Sequence, residues 1–337
     1  EDGAVACVGA CAVPDFDAIW ARDERHASHF EHASVLVNAA TPVFNAPMLR
    51  LAEAVGAHAV DLASDMYDDE TQATLGFAQY AHDAVLRERG LAALVNLGIS
   101  PGITNFLVGG RIHEIRAQGR RDLTIERVDL YLLEDVDSDE VVFSWSPVVA
   151  LEELAQRPRV LENGRIVVLE PFSSPRDYQF PHEARSTRQY PLYQEELLSF
   201  HRSFPEIPAI GVWTGGAEVE LVKSLFKLNL LSKRSVEAQP GLTVESVVRA
   251  ILPGMNKPRR IEEYLRTGVI RRAHFAAAAE IRISEQVRND RQTLIETVGL
   301  SYHRYRGLLD TPYAGATYIS YPTGVGAAIL VWHALEH

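Results

Sequence analysis

Residues 95–106 read VNLGISPGITNF. The apolar run LAALVNLG (91–98) ends on Gly98, Pro101-Gly102 turns the chain, and Thr104 or Asn105 stands where a helix cap is favoured. A strand end, a turn and a helix start follow one another directly. That joint is the building step of a parallel α/β sheet, in which ligands meet the carboxyl ends of the strands.

The same alternation runs back towards residue 1. The run AVACVGACAV (4–13) has the length and composition of a strand, and DFDAIWARDERHASHF (15–30) has a helical pattern. A buried strand is expected in ASVLVNAAT (33–41), a helix in PVFNAPMLRLAEAVG (42–56) closed by Gly56, a strand in AHAVDLAS (57–64), and a helix in 68–90 closed by Gly90. Apolar strands alternating with amphipathic helices predict a doubly wound, Rossmann-like parallel sheet. Residues 4–13 resemble its third strand. A first βαβ unit, about 30 residues or more, is therefore expected upstream of Glu1.

After about residue 120 the pattern changes. DLTIERVDLYLLED (122–135) alternates as a half-exposed strand, with Leu123, Ile125, Val128, Leu130 and Leu132 apolar. Asn163-Gly164 signals a hairpin, and residues 275–301 form two strands around a polar turn near Asn289-Asp290. Helices are expected over roughly 214–234 and 243–252. This is an α+β domain with a mixed or antiparallel sheet. The expected division falls at 1–110, 111–304 and 305–337.

Composition excludes several classes. The formal net charge of −12 argues against a nucleic-acid partner, which needs a basic face. No apolar run reaches the ~18 residues of a membrane span. Cys7 and Cys11 are the only cysteines and sit in one strand-like stretch, so neither a disulfide framework nor a zinc site is expected. No His/Asp/Glu spacing marks a metal site. No signal peptide is visible, and the expected location is the cytoplasm.

A dinucleotide fingerprint, G-x-G-x-x-G, has no complete copy in the chain. The nearest, TYISYPTGVGAAI (317–329), carries Gly324 and Gly326 but Ile329 in the third place, and reads better as a small-residue helix start packed on a sheet.

Five stretches in this order resemble the saccharopine dehydrogenase-like oxidoreductases, a family that includes saccharopine reductase, lysine 6-dehydrogenase and carboxynorspermidine dehydrogenase. They are VLVNAATPVFNAPMLRLAEAVGAHAVDLAS (35–64), GISPGITNF (98–106), FSWSP (143–147), RVLENGRIVVLEPFSSPRDYQFP (159–181) and PTGVGAAILVW (322–332). The resemblance implies an NAD- or NADP-dependent enzyme that moves a hydride at a C–N bond of an amino acid or polyamine-like amine. It also implies that 1–110 form a nucleotide-binding domain, that 111–304 serve substrate binding and dimerisation, that 305–337 return to close the nucleotide-binding domain, and that the protein is a homodimer. The saccharopine reductase branch carries Asp where this chain has Ser100, which implies a substrate other than saccharopine. The alternative is a non-catalytic scaffold or binding protein that keeps the fold without the phosphate loop.

The candidate site follows from the strand ends. Asn38, Ala39, Ala40, Thr41, Asp61, Ser64, Asn96 and Gly98 are the candidates for the cofactor side. Ser100, Pro101, Gly102, Thr104 and Asn105 are candidates for the substrate wall, with Trp145 lining the pocket or filling the second core. The acidic run Glu134, Asp135, Asp137, Asp139 and Glu140 is either a cation-holding loop or a solvated face. Arg176, Arg185 and Arg188 are candidates to grip a carboxylate. Amine oxidation needs a group to take a proton; His182, His201, Glu195 and Glu196 are equal candidates, and no acid or base is assigned.

Overall fold

The computed structural model describes residues 30, 32–63, 78–118, 123–181, 183–236, 239–252, 257–287, 290–302 and 306–336. The expected strand at 4–13, both cysteines, all but the last residue of the helix at 15–30 and the first part of the helix at 68–90 lie outside the described residues. The chain divides into two compact units, residues 1–67 with 76–95, and residues 68–75 with 96–337.

In the first unit, β1 (Val35–Asn38), α1 (Asn45–Val55), β2 (His58–Asp61), α2 (Asp83–Glu88) and β3 (Ala93–Leu94) follow in order. The strands pair in parallel as β1-β2-β3. Leu49 and Ala52 of α1 pack on Leu36, Ala57, Ala59 and Leu86. Gly56 closes α1 in the left-handed conformation, as its position predicts. β3 is shorter than expected because Asn96, at φ 63°, turns the chain out of the strand before Gly98.

The second unit holds α3 (Ile103–Ala117), β4 (Leu123–Ser138), α4 (Pro147–Ala155), β5 (Arg159–Glu162), β6 (Arg165–Val168), β7 (Arg176–Tyr178), β8 (Thr187–Pro191), α5 (Glu195–Ser203), β9 (Ile210–Gly216), α6 (Ala217–Lys227), β10 (Ser235–Val236), β11 (Gln239–Thr243), α7 (Val244–Ile251), α8 (Pro258–Thr267), β12 (Ile270–Val287), β13 (Asp290–Tyr302) and α9 (Ser320–Glu336). Its main sheet is mixed, in the order β13-β12-β4-β9-β5-β6, and β4 and β9 are its parallel pair. The hairpins expected at Asn163-Gly164 and at 275–301 are both present.

Side-chain alternation builds both faces of this sheet. Ala277, Ala279, Val128, Leu130 and Leu132 face one core with Val108 and Ile112 of α3 and Leu197 and Phe200 of α5. Ala276, Ala278, Tyr131 and Leu133 face another with Tyr178, Phe180 and Trp213. The apolar series of β4 slips phase between Ile125 and Val128. A register shift there leaves Glu126 as an extra residue, which restores both positions to the same core.

Two expectations are corrected. Residues 214–216 finish β9, so the helix expected from 214 begins at Ala217. α9 starts at Ser320, so Gly324 and Gly326 lie inside a helix, not at its opening. Gly326 leaves room for the side chain of Ile103, a helix-packing role.

Gly216 is the tightest joint of this unit. It pairs with Glu134 across the parallel strands at φ 122°, and a methyl group there would collide with the Glu134 carbonyl. Gly216→Ala is expected to lower stability by about 3 kcal/mol or more. Gly110→Ala, inside α3 with nothing within 4 Å, is expected to raise it by about 0.5–1 kcal/mol. Denaturant unfolding of both variants checks the opposite signs.

Candidate functional site

The stretch 98–105 folds as a tight turn at the start of α3. The Ser100–Pro101 peptide is cis and Gly102 has φ 126°. A methyl group at Gly102 would strike the backbone of Gly98 and Asn96, so the turn admits only glycine. Ile103 N–H donates to the Gly98 carbonyl at 3.0 Å, and Gly102 N–H donates to Asn105 Oδ1 at 2.9 Å. These bonds satisfy the helix start internally.

Behind the turn stands α5. Glu196, with no exposed surface, accepts the Ser100 hydroxyl at 2.5 Å and the Thr104 hydroxyl at 2.8 Å, both on Oε1. Among the described residues its Oε2 has no hydrogen-bond partner. Asn105 Nδ2 donates to Ser199 Oγ at 2.6 Å, and Gln194 Nε2 donates to the Ser100 carbonyl at 3.3 Å. Burial pushes the Glu196 carboxyl above its ordinary range, and the two hydroxyls pull it back only in part.

A second carboxyl group sits at the carboxyl ends of the parallel strands β4 and β9. Glu134 lies in register with Gly216, and Glu218 follows two residues on in the first turn of α6. Ser144 binds both: its N–H donates to Glu218 Oε1 at 2.6 Å and its hydroxyl donates to Glu134 Oε2 at 3.1 Å. The Tyr318 hydroxyl donates to Glu218 Oε1 at 3.0 Å, and the Trp145 indole binds Glu134. Ser146 then caps α4 and Pro147 opens it. Every residue of FSWSP thus has a task, since Phe143 fills the core beneath.

Burial pushes Glu134 up to about 7. Burial, and then the charge of Glu134, push Glu218 up to about 8. Glu153 of α4 is raised by burial and by Glu195, Glu134, Glu196 and Glu152 in turn. No Lys or Arg is among the groups that shift these four carboxyls. Buried carboxylates are ordinarily paired with cations or fully hydrogen-bonded. Among the described residues these four have no cation paired with them.

The first unit presents its own strand ends. Asn38 and Asp61, register partners at the ends of β1 and β2, are both buried. Asn38 donates to Asn45 Oδ1 at 2.6 Å and accepts the Ala40 N–H at 3.0 Å; Gln79 Nε2 donates to Asp61 at 3.2 Å. A recess of only about 10 Å³, the room of a single water, lies between Asn38, Asn45, Met48 and Asp61. Ala39, Ala40 and Thr41 are exposed beyond the strand end. Ser64 lies outside the described residues.

The structure therefore gathers Ser100, Thr104 and Asn105 around α5 and sets Trp145 against Glu134. Asn96 and Gly98 belong to the second unit with them. The acidic run is not a loop: residues 134–138 are in β4. Arg271 pairs with Asp137 at 2.6 Å and Arg272 with Asp135 at 2.6 Å, which leaves Glu134 alone turned inward. Arg176 lies over the Trp213 ring at 3.7 Å and pairs with buried Asp129 at 3.2 Å, and Arg188 pairs with Asp177. His182 lies outside the described residues, and His201 is on α5. Glu134 and Glu218 were not singled out as a pair by the sequence. The signal for Glu134 is its phase, since it continues the inward series Val128, Leu130, Leu132. Glu218 shares a helical face with buried Val222.

The model of the saccharopine dehydrogenase C-terminal domain matches residues 98–337, starting on the turn described above. Carboxyaminopropylagmatine dehydrogenase of Synechocystis sp. is 24% identical over 189 residues, which cover 54% of this chain and 44% of that protein. The match thus spans less than half the length of that relative. Apo saccharopine dehydrogenase (L-Glu forming) from Saccharomyces cerevisiae superposes with a TM-score of 0.62 at 14% identity, over 94% of this chain and 79% of that one. At that identity the likeness is one of fold.

Two stability outcomes follow. Glu196→Ala strands the Ser100 and Thr104 hydroxyls and opens a cavity, an expected loss of about 2–4 kcal/mol, while Glu196→Gln keeps the accepting oxygen and costs about 1 kcal/mol or less. Glu134 and Glu218 hold protons when folded that they release when unfolded, above the ordinary glutamate range. Stability is therefore expected to fall as pH rises from about 5 to about 8, and the double variant Glu134→Gln/Glu218→Gln flattens that fall. Denaturant unfolding at several pH values measures both effects.

Proposed function

The chain belongs to the saccharopine dehydrogenase family, and from that premise we propose that it is an NAD(P)-dependent oxidoreductase acting on a C–N bond of an amino acid or polyamine-like amine. The observation that carries this reading is Glu196, a buried carboxyl raised by its surroundings, joined by a short hydrogen bond to the half-buried Ser100 on a tight turn. Oxidising an amine requires its nitrogen to be unprotonated, so a group must first take a proton.

Ser100 and Glu196 supply that path. As the amine N–H bond breaks, its proton goes to Ser100 Oγ, the serine's own proton passes to Glu196 Oε1, and a neutral amine is left. Burial raises the Glu196 carboxyl and so makes it a stronger base than an exposed glutamate. Thr104 fixes the carboxyl from the other side, and Pro101 and Gly102 fix the serine.

The exposed segment Ala39-Ala40-Thr41 at the end of β1 fits the ring end of a nicotinamide dinucleotide, because small residues let a flat group approach the backbone. Asn38 and Asp61 spend their hydrogen bonds shaping that strand end. A bound nicotinamide would supply the hydride acceptor, the part of the chemistry no side chain provides.

With the full-length protein, NAD⁺ or NADP⁺ is expected to raise the melting temperature, and a panel of amino acids and polyamines to include one that reduces the nicotinamide, read by its absorbance. No stabilisation by either dinucleotide, or activity on alcohols alone, would overturn the reading and favour a scaffold. Glu196→Gln is expected to lower kcat by about 10²-fold and to remove the rise of kcat/KM with pH that an elevated carboxyl base produces.

A further inference from the structure

The carboxyl ends of β4 and β9 carry a feature that the Ser100–Glu196 path does not use. Glu218 is 3% exposed. Its Oε1 accepts from the Ser144 N–H and the Tyr318 hydroxyl, and among the described residues its Oε2 has no hydrogen-bond partner. Glu134, half-buried, faces it across Ser144. The pair is met by Trp145 and Ser144 from the loop before α4, by Tyr318 from the segment before α9, and by Glu153 from α4, which also faces Glu195 and Glu196 of α5. All of these are neutral donors or further acids. Among the described residues no group of three or more His, Cys, Asp and Glu is placed to hold a metal ion.

We propose that Glu134 and Glu218, aligned by Ser144, form a subsite for an alkylammonium group, the charged nitrogen of an amino-acid or polyamine substrate. An ammonium has N–H donors to spare, and the structure offers an orphaned buried oxygen and a second carboxyl beside it. Partial exposure of Glu134 and Trp145 gives the entry side. The inference rests on the proposed reaction and narrows its substrate class to amines that are cations when bound. Because burial holds protons on the pair near neutrality, the ammonium displaces one: an O–H bond breaks, the proton leaves to solvent, and no group is oxidised or reduced.

Isothermal titration of the full-length protein with diaminobutane tests this, with aminobutane and butanediol as monocationic and neutral probes. Titrations at about pH 6.5 and about pH 8.5, each in buffers of unlike ionisation enthalpy, count the proton released. The expected result is that both amines bind and butanediol does not, that affinity rises by up to about tenfold per pH unit, and that Glu134→Gln and Glu218→Gln each weaken binding at least about tenfold. Glu134→Asp keeps the charge and is expected to retain part of the affinity. Equal amine affinity in the wild type and both Gln variants, or no amine binding at millimolar concentration, would overturn the subsite. Amine binding lost in the variants, with no amine reducing nicotinamide, would remove the proposed reaction and keep the subsite. Amine turnover with an unchanged KM in both Gln variants would remove the subsite and keep the reaction.

Discussion

Burying carboxyl groups with no cation among the described residues to pair them is the constraint around which the second unit is arranged. Glu134, Glu153, Glu196 and Glu218 occupy four different elements and no Lys or Arg sets their titration. Water would solvate such groups well and a packed interior does not. The chain meets the cost with protons and with neutral donors: Ser100 and Thr104 for Glu196, Ser144 and Tyr318 for Glu218, Ser144 and Trp145 for Glu134. Each donor is an O–H or N–H that leaves the charge of the carboxyl uncancelled. An incoming cation would cancel it.

The backbone brings these groups together through a few close approaches. Parallel pairing of β4 with β9 sets Glu134 beside Gly216, and the absent side chain of Gly216 lets the strands meet and α6 start at once. Glu218 then falls in the first turn of α6, where the helix dipole favours the anion, yet burial outweighs that bias and its carboxyl still rises. Thr317, just before α9, donates to the Ser144 carbonyl and so ties a third segment to the same serine. One residue, Ser144, thus couples the loop before α4, the ends of two strands and the approach to α9.

Much of the fold was legible because its signals are local. The β1–α1–β2 unit follows from apolar periodicity and Gly56, and the β12–β13 hairpin from two apolar runs around a polar turn. The end of β9 was not legible, because Gly215-Gly216 before an amphipathic run looks like a helix approach and nothing local shows the partner strand. The turn at 98–105 was legible as a joint and as a candidate wall. Its partner was not: Glu196 lies 96 residues beyond Ser100, and only tertiary packing joins them. Glu134 sat in a run of acids that composition assigns to solvent. Its strand phase points the other way, onto the face where Val128, Leu130 and Leu132 meet the core, and phase prevails over composition.

The choice of serine at position 100 belongs to the same constraint. A hydroxyl can donate to Glu196 and accept from a substrate in one step, so it passes a proton without acquiring a lasting charge. A carboxylate at that place, as in the saccharopine reductase branch that the turn resembles, would stand about one hydrogen bond from Glu196 and add a further negative charge to a cluster that already lacks cations. Two carboxyls so close cannot both ionise, and one would be driven to hold a proton. Such a protein would need a compensating cation or a shared proton at this turn. The neutral hydroxyl of Ser100 avoids that demand and leaves the turn itself uncharged against Glu196 of α5, with the charge of the wider cluster left for a ligand to balance.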